Sequence, residues 1–245
     1  MNSKTMTLGF FFTTLAYLIG ALVFYLAARR RRLATEGMAY VALAGFCGGV
    51  IGAKLTEWAL VHWTTVAAHP GALFDPRLGG RTLIGGVIVG WICVEVVKWR
   101  MGIRRSTGDL FALALPAGEA IGRVGCFFNG CCFGIPCEPH AVNWAVYQHG
   151  AYRHPAQLYS SLVALVIFGV LLALRDRMPR EGDLFRLYLV LFGLSRFALE
   201  FLRVRSLSFG GLSIAQWVCL ELAVLSAVGL VISSRRTVAT MRAEV

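Results

Sequence analysis

Charge is what this sequence has least of. Only 15% of its residues are charged, and acids are the rarer kind, 13 Asp and Glu against 24 Lys and Arg. With 57% hydrophobic residues and a mean hydropathy of +0.67, that scarcity excludes an ordinary soluble domain of this length. Internal repeats, low-complexity tracts and any linker long enough to divide the chain into domains are missing too. No separate soluble domain is left to carry function, and residues 1–245 read as a single integral-membrane domain. The weak alternation of a transmembrane barrel is absent; the apolar residues come in long runs, which suit helices that satisfy their own backbone hydrogen bonds in lipid. No small-residue cleavage pattern follows the first run, and that run is longer than a signal peptide's apolar core, so it reads as a span.

What is present is a series of such runs. A spanning helix needs about 20 mostly apolar residues, and on that measure the expected architecture is an all-α bundle of about seven transmembrane helices. They cover approximately residues 8–28, 39–63, 83–99, 110–128, 158–174, 184–202 and 212–232. The formal charge of +11 and the pI near 9.8 come from basic clusters in alternate connections: Arg29 to Arg32, then Lys98 to Arg105, then Arg175, Arg177 and Arg180, then Arg235, Arg236 and Arg242. The positive-inside rule puts these clusters in the cytoplasm, the N-terminus outside and the C-terminus inside. The basic balance thus reports topology and contact with anionic lipid headgroups, not nucleic acid. The longest outer connection, about 129–157, is rich in Cys, Pro, His and aromatic residues and is expected to form a small outer-face cap.

Small residues mark where helices approach closely. Gly45, Gly48, Gly49 and Gly52 in the second run, and Gly86 and Gly90 in the third, read as helix-packing contacts. The fourth run, LFALALPAGEAIGRVGCFFNG, is different: Pro116, Gly118 and Gly122 weaken it, and an interrupted helix is expected there, tolerated only where protein or a wet cavity surrounds it.

Ionisable groups inside a span cost about 2.5–3.5 kcal/mol each at the helix centre and normally face a partner or a cavity. Here they pair by spacing. Glu119 and Arg123 are four apart, as are Arg196 and Glu200, so each pair shares a helix face; Lys54 and Glu57 form a third pair three apart. One reading is mutual neutralisation. The other is a concentrated positive site, in which two arginine forks grip a phosphate oxyanion, and at that depth the natural phosphate is a phospholipid headgroup.

These residues resemble the prolipoprotein diacylglyceryl transferases, whose signature reads approximately G-R-x-G-N-F-x-N-G-E-x-x-G. Gly122, Arg123, Gly125, Phe127, Asn129, Gly130 and Gly134 stand in register with it, while Cys126 and Cys131 stand where the signature has Asn and Glu. Asp109 upstream, the HPAQLY run from His154 through Gln157 to Tyr159, and RFALEFLR from Arg196 to Arg203 extend the likeness over most of the chain. The resemblance implies a multi-pass protein of the bacterial inner membrane. Its reaction would move a diacylglyceryl group from phosphatidylglycerol to the lipobox cysteine of a preprolipoprotein. Arg123 and Arg196 would hold the phosphate, Glu200 would hold Arg196, and Asn129 would orient the headgroup. Gly122, Gly125, Gly134, Asp109, His154, Gln157 and Tyr159 are expected to bind substrate, with Asp109 alternatively holding a neighbouring helix end. No cofactor is called for. The chain departs at Ile84, where the family has a histidine thought to be catalytic, and at Phe192, where it has a tyrosine. The departures leave two other readings: a divergent phospholipid-dependent transferase with another acceptor, or a non-catalytic lipid-binding or thiol-redox membrane protein on the same scaffold.

Cys126, Cys131, Cys132 and Cys137 are spaced C-x4-C-C-x4-C and admit three readings. They are small fillers of a tight turn, a disulfide on an oxidising outer face, or a metal or redox site, although the spacing matches no familiar zinc pattern. His140, His149 and His154 lie close by in sequence.

Overall fold

The computed structural model describes residues 3–33, 35–60, 63–71, 83–138, 143–178, 180–203 and 208–243. Helices dominate them: α1 (Ser3–Arg30), α2 (Glu36–Leu60), α3 (Trp63–Ala68), α4 (Leu83–Arg100), α5 (Gly108–Phe128), α6 (Ala156–Leu174), α7 (Asp183–Leu199) and α8 (Ile214–Ala243). Among these, α1, α2, α5, α6 and α8 contain stretches long and apolar enough to cross a membrane, and the chain is a multi-pass membrane protein. The third and sixth expected runs also form helices, but shorter and more charged ones: α4 carries Glu95, Lys98 and Arg100, and α7 carries Asp183, Arg186 and Arg196.

The chain packs as two units, Ala28–Arg105 and Met1–Ala27 with Ser106–Val245. In the first, α2 lies on α4 through the glycines singled out above. A Cβ on Gly86 would stand 3.0 Å from the Gly49 carbonyl oxygen, and one on Gly90 would stand 3.1 Å from that of Gly45. Backbone approaches this close need small residues, because lipid offers no hydrophobic drive to hold helices together. Lys54 lies with its Nζ 5.0 Å from the centre of the Trp58 ring. The side chains of Glu57, its expected partner, and of Ile84 lie outside the described residues.

In the second unit, α5 is the central element. Ala112 and Leu113 of α5, Ile167 and Leu171 of α6, and Leu184, Tyr188 and Phe192 of α7 form a buried cluster, joined by Val23 of α1 and Leu222 of α8. The interruption expected in the fourth run does not occur: α5 continues from Gly108 to Phe128 with the buried Pro116 inside it. Neighbouring helices pack closely on α5 beyond this proline. α1 lies against its glycine face, where a Cβ on Gly118 would meet the Ala16 carbonyl oxygen at 3.2 Å, and the Ser161 hydroxyl of α6 donates to the Ala120 carbonyl.

The connection from α5 to α6 contains an antiparallel hairpin of β1 (Val146–Gln148) and β2 (Ala151–Arg153). His149 and Gly150 between them both have positive φ, 50° and 77°, the conformation of the two-residue turn that matches strand twist. Several helix ends differ from the sequence reading by a few residues, and α8 runs on to Ala243. The last run begins at Ile214 and not at 212, since β4 (Leu212–Ser213) pairs with β3 (Ser208–Phe209). The sixth ends its α-helix at Leu199 and tightens into a 3-10 turn over Glu200–Leu202.

Candidate active site

Both arginine pairs form as their spacing predicts. Arg123 donates from Nη2 and Nε to a single oxygen, Glu119 Oε1, at 2.9 and 3.1 Å. Arg196 Nη2 lies 2.9 Å from Glu200 Oε2, and both side chains are largely withdrawn from the surface. The pairs sit on different helices yet meet. Glu119 of α5 and Arg196 of α7 line one narrow crevice, walled by Ser160 and Ile167 of α6 and by Phe192 and Ser195 of α7. Arg196 is within electrostatic reach of Arg123 and of Arg203. Three guanidinium groups thus gather with two carboxylates, which leaves net positive charge in a poorly solvated place. Two atoms of this pair are idle: Arg196 Nη1 and Glu200 Oε2 are both buried and have no hydrogen-bond partner among the described residues. A buried, unmet guanidinium N–H is costly unless something arrives to accept from it.

The signature turn follows α5. After Phe128 the chain turns through Gly130 (φ 63°) and Cys132 (φ 60°), and the buried Gln157 of α6 donates from Nε2 to the Cys131 carbonyl at 2.8 Å. Gly134 then threads between two other segments: its N–H donates to His154 O, and the N–H of Ile135 donates to Leu202 O. Any Cβ on Gly134 would collide with the carbonyls of His154 and Leu202, so only glycine fits. His154 Nδ1 lies 3.3 Å from Tyr159 Oη, which also accepts from Trp144 Nε1 at 2.6 Å.

Other expected site residues lie elsewhere. Gly122 and Gly125 turn toward α1: a Cβ on Gly125 would meet Gly9 O at 3.1 Å, so its smallness serves helix approach, while one on Gly122 would make only an ordinary contact with Ala16 Cβ at 3.5 Å. Asn129 closes the C-terminal end of α5 and packs its side-chain amide against Gly9. Asp109 is buried at the opposite end of α5 and accepts from the N–H groups of Gly182 and Phe185 at 3.0 and 3.1 Å, holding the start of α7. That is the helix-end role and not a contact with the arginine cluster. Two residues escaped the sequence reading. Arg203, which closes the RFALEFLR run, acts electrostatically on both Arg196 and Cys132. Tyr188, buried on α7, is within reach of Glu119 and Arg123, and as one aromatic in an apolar run it carried no signal.

All seven cysteines are free thiols. Three of the four in C-x4-C-C-x4-C converge: the Sγ atoms of Cys126, Cys131 and Cys132 all lie within 4.8 Å of one another. Cys137 stays apart on the segment that pairs with β2, its N–H donating to Tyr152 O at 2.9 Å. Hydrogen bonds from the Cys126 and Cys131 thiols, aided by Arg203 and Arg123, hold the Cys132 thiol far below its ordinary pKa. The same contacts push the Cys131 thiol far above its own. His140 lies outside the described residues.

The family model for prolipoprotein diacylglyceryl transferase matches residues 7–232. The phosphatidylglycerol–prolipoprotein diacylglyceryl transferase of Symbiobacterium thermophilum is 34% identical over 195 residues, 74% of this chain and 70% of its own length. The like-named protein of Thermotoga maritima is 31% identical over 233 residues, 88% of this chain and 78% of its own. That of Streptococcus agalactiae is 30% identical over 229 residues, 88% and 87% of the two chains.

Proposed function

This chain belongs to the prolipoprotein diacylglyceryl transferase family, and we propose that it matures lipoproteins by moving a diacylglyceryl group from phosphatidylglycerol to the lipobox cysteine of a preprolipoprotein. The single observation that best supports the site is the idle Nη1 donor of Arg196, buried in a residue that shares a narrow crevice with Glu119, the partner of Arg123. A phosphodiester oxygen is the acceptor it lacks. In the reaction the acceptor thiolate attacks the terminal glyceryl carbon of the diacylglyceryl group; the S–C bond forms, the C–O bond breaks, and the electron pair leaves on the phosphate oxygen as glycerol phosphate. Arg196 and Arg123 neutralise charge where it develops, which a fixed cluster in a dry site does without reorganisation. Glu200 and Glu119 hold the two guanidinium groups in place, and Arg203 adds to the positive field.

The same reading takes the chain as one domain of the bacterial inner membrane. Its seven long helices would span, with the N-terminus outside, and the β1–β2 hairpin would belong to a small outer cap. Basic clusters in alternate connections support that orientation. Reporter fusions after Arg32, Arg105 and Arg180 should read cytoplasm, and one at His149 should read outside. The deciding experiment for the reaction gives purified protein headgroup-labelled phosphatidylglycerol and a lipobox peptide. Appearance of labelled glycerol phosphate together with a thioether-linked lipopeptide is expected; neither product at any pH, in protein that still binds the lipid, rejects the transferase reading.

A further inference from the structure

The reaction above gives no task to the three converging thiols, and fillers of a turn have no reason to point their sulfurs at one another. Cys126 lies in the last turn of α5, and Cys131 and Cys132 follow in the turn, with Cys131 N–H donating to Cys126 O at 3.1 Å. The turn that brings them together is not one cysteine favours. Cys132 sits at φ 60°, a conformation taken by a few per cent of non-glycine residues and often kept where a ligand is clamped. A brace from another helix, Gln157 Nε2 on Cys131 O, fixes the same turn.

We propose that Cys126, Cys131 and Cys132 are a three-thiolate site for zinc(II) with the fourth coordination position left open. Zinc–sulfur bonds of about 2.3 Å in tetrahedral geometry set neighbouring sulfurs about 3.8 Å apart, and sulfurs already within 4.8 Å need only close slightly around the ion. Charge agrees as well. Three thiolates and one zinc ion leave a single negative charge, and Arg123 and Arg203 both act on this cluster. Soft thiolate ligands select zinc or copper(I) over harder cations, and three protein ligands with an open fourth position are the pattern of catalytic zinc.

The role of the open position rests on the transferase reading. The acceptor cysteine would displace water there, and its proton would pass to solvent, because a coordinated thiol is deprotonated outright. The zinc keeps its oxidation state while the bound sulfur attacks carbon and the electron pair departs on phosphate. A thiolate made this way needs no general base, which suits a chain with Ile84 where the family resemblance implies a histidine.

The test measures metal before activity. Full-length protein purified in mild detergent is stripped with a chelator under reducing conditions, then reloaded with zinc(II), cobalt(II) or copper(I). Expected are about one zinc per chain, and with cobalt the intense near-ultraviolet charge-transfer bands of thiolate ligation. Both should fall at least tenfold in Cys126→Ser and Cys132→Ser and persist in Cys137→Ser, with lipid binding retained in all three. Zinc content equal in the parent and in Cys132→Ser overturns the site, as does a disulfide among the three in protein purified under reducing conditions. Retention of copper(I) with no retention of zinc also overturns it. Zinc bound without transfer keeps the metal site and rejects the transferase reading; transfer at the full rate in a zinc-free Cys126→Ser, Cys131→Ser, Cys132→Ser variant keeps the transferase and rejects the zinc role.

Discussion

Arg196 and Glu200 meet through one arm of the guanidinium only: Nη2 lies 2.9 Å from Glu200 Oε2, while Nη1 of the same group is buried without a partner among the described residues. Glu200 Oε2 is likewise buried without a hydrogen-bond partner among the described residues, so the pair is electrostatic and leaves that arm of the fork free. A buried N–H donor left unmet is costly until an acceptor arrives, so the idle arm suits a group that binds a second anion.

The asymmetry makes the consequences of substitution unequal. Removing a transition-state donor costs roughly 10²–10³-fold in rate, so Arg196→Ala should lower kcat/KM for phosphatidylglycerol by at least that much. Arg196→Lys keeps the charge but loses the planar fork, and a loss of at least tenfold is expected. A lysine variant with unchanged kinetics would reduce Arg196 to a point charge.

Gly134 gives a prediction of stability. Its missing Cβ is the space through which the signature turn passes between His154 and Leu202, and the obstructing atoms are backbone carbonyls that cannot swing away. Overpacking of this kind costs roughly 1–3 kcal/mol, so Gly134→Ala should lower the melting temperature in detergent. Gly169 on α6 is the control: nothing lies within 4 Å of its Cβ position, and Gly169→Ala should be neutral or slightly stabilising. Equal shifts in the two variants would contradict the threading.

What could be read in advance follows from which physics is local. Helix placement was legible because apolar run length is set by bilayer thickness, and both ion pairs were legible because four-residue spacing puts charges on one face. The crevice was not, since Glu119 and Arg196 meet only when α5 and α7 pack. Gly125 shows what spacing leaves open: the motif marks it, but sequence alone does not say whether a small residue makes room for a ligand or for a helix, and α1 packs closely against it. The break expected at Pro116 is absent: α5 runs on through the buried proline, and propensity does not see that burial. The thiol cluster depends on a left-handed Cys132 that residue type argues against.

The sulfur trio should titrate unevenly in chelator-stripped protein. Cys132 has its folded pKa depressed by neighbouring thiol donors and by Arg203 and Arg123, so its thiolate persists as pH falls below the ordinary value near 8.5. That interaction favours the folded state above about pH 8.5 and loses its contribution as pH falls through the depressed folded value. Iodoacetamide labelling followed by mass spectrometry should therefore find Cys132 modified at nearly the same rate from about pH 8 to about pH 6. An ordinary thiol slows about tenfold per unit over that range. Cys131, shifted upward by the same contacts, should stay unreactive. Parallel slopes for both residues would contradict the shared hydrogen bonds.

Transfer rate against pH asks where the acceptor thiolate comes from, and zinc-loaded and zinc-free protein should give different answers. Without metal the arginine cluster must work with whatever thiolate the acceptor supplies, only a few per cent near neutrality, so the rate should climb about tenfold per unit up to the acceptor pKa near 8.5. With zinc in the three-cysteine site the acceptor ionises on binding, and the profile should be nearly flat above about pH 7. Arg196→Ala should cut transfer in every background, because each route ends with the same departing phosphate. Identical climbing profiles with and without zinc would leave the arginines as the centre of the chemistry and remove the metal from it.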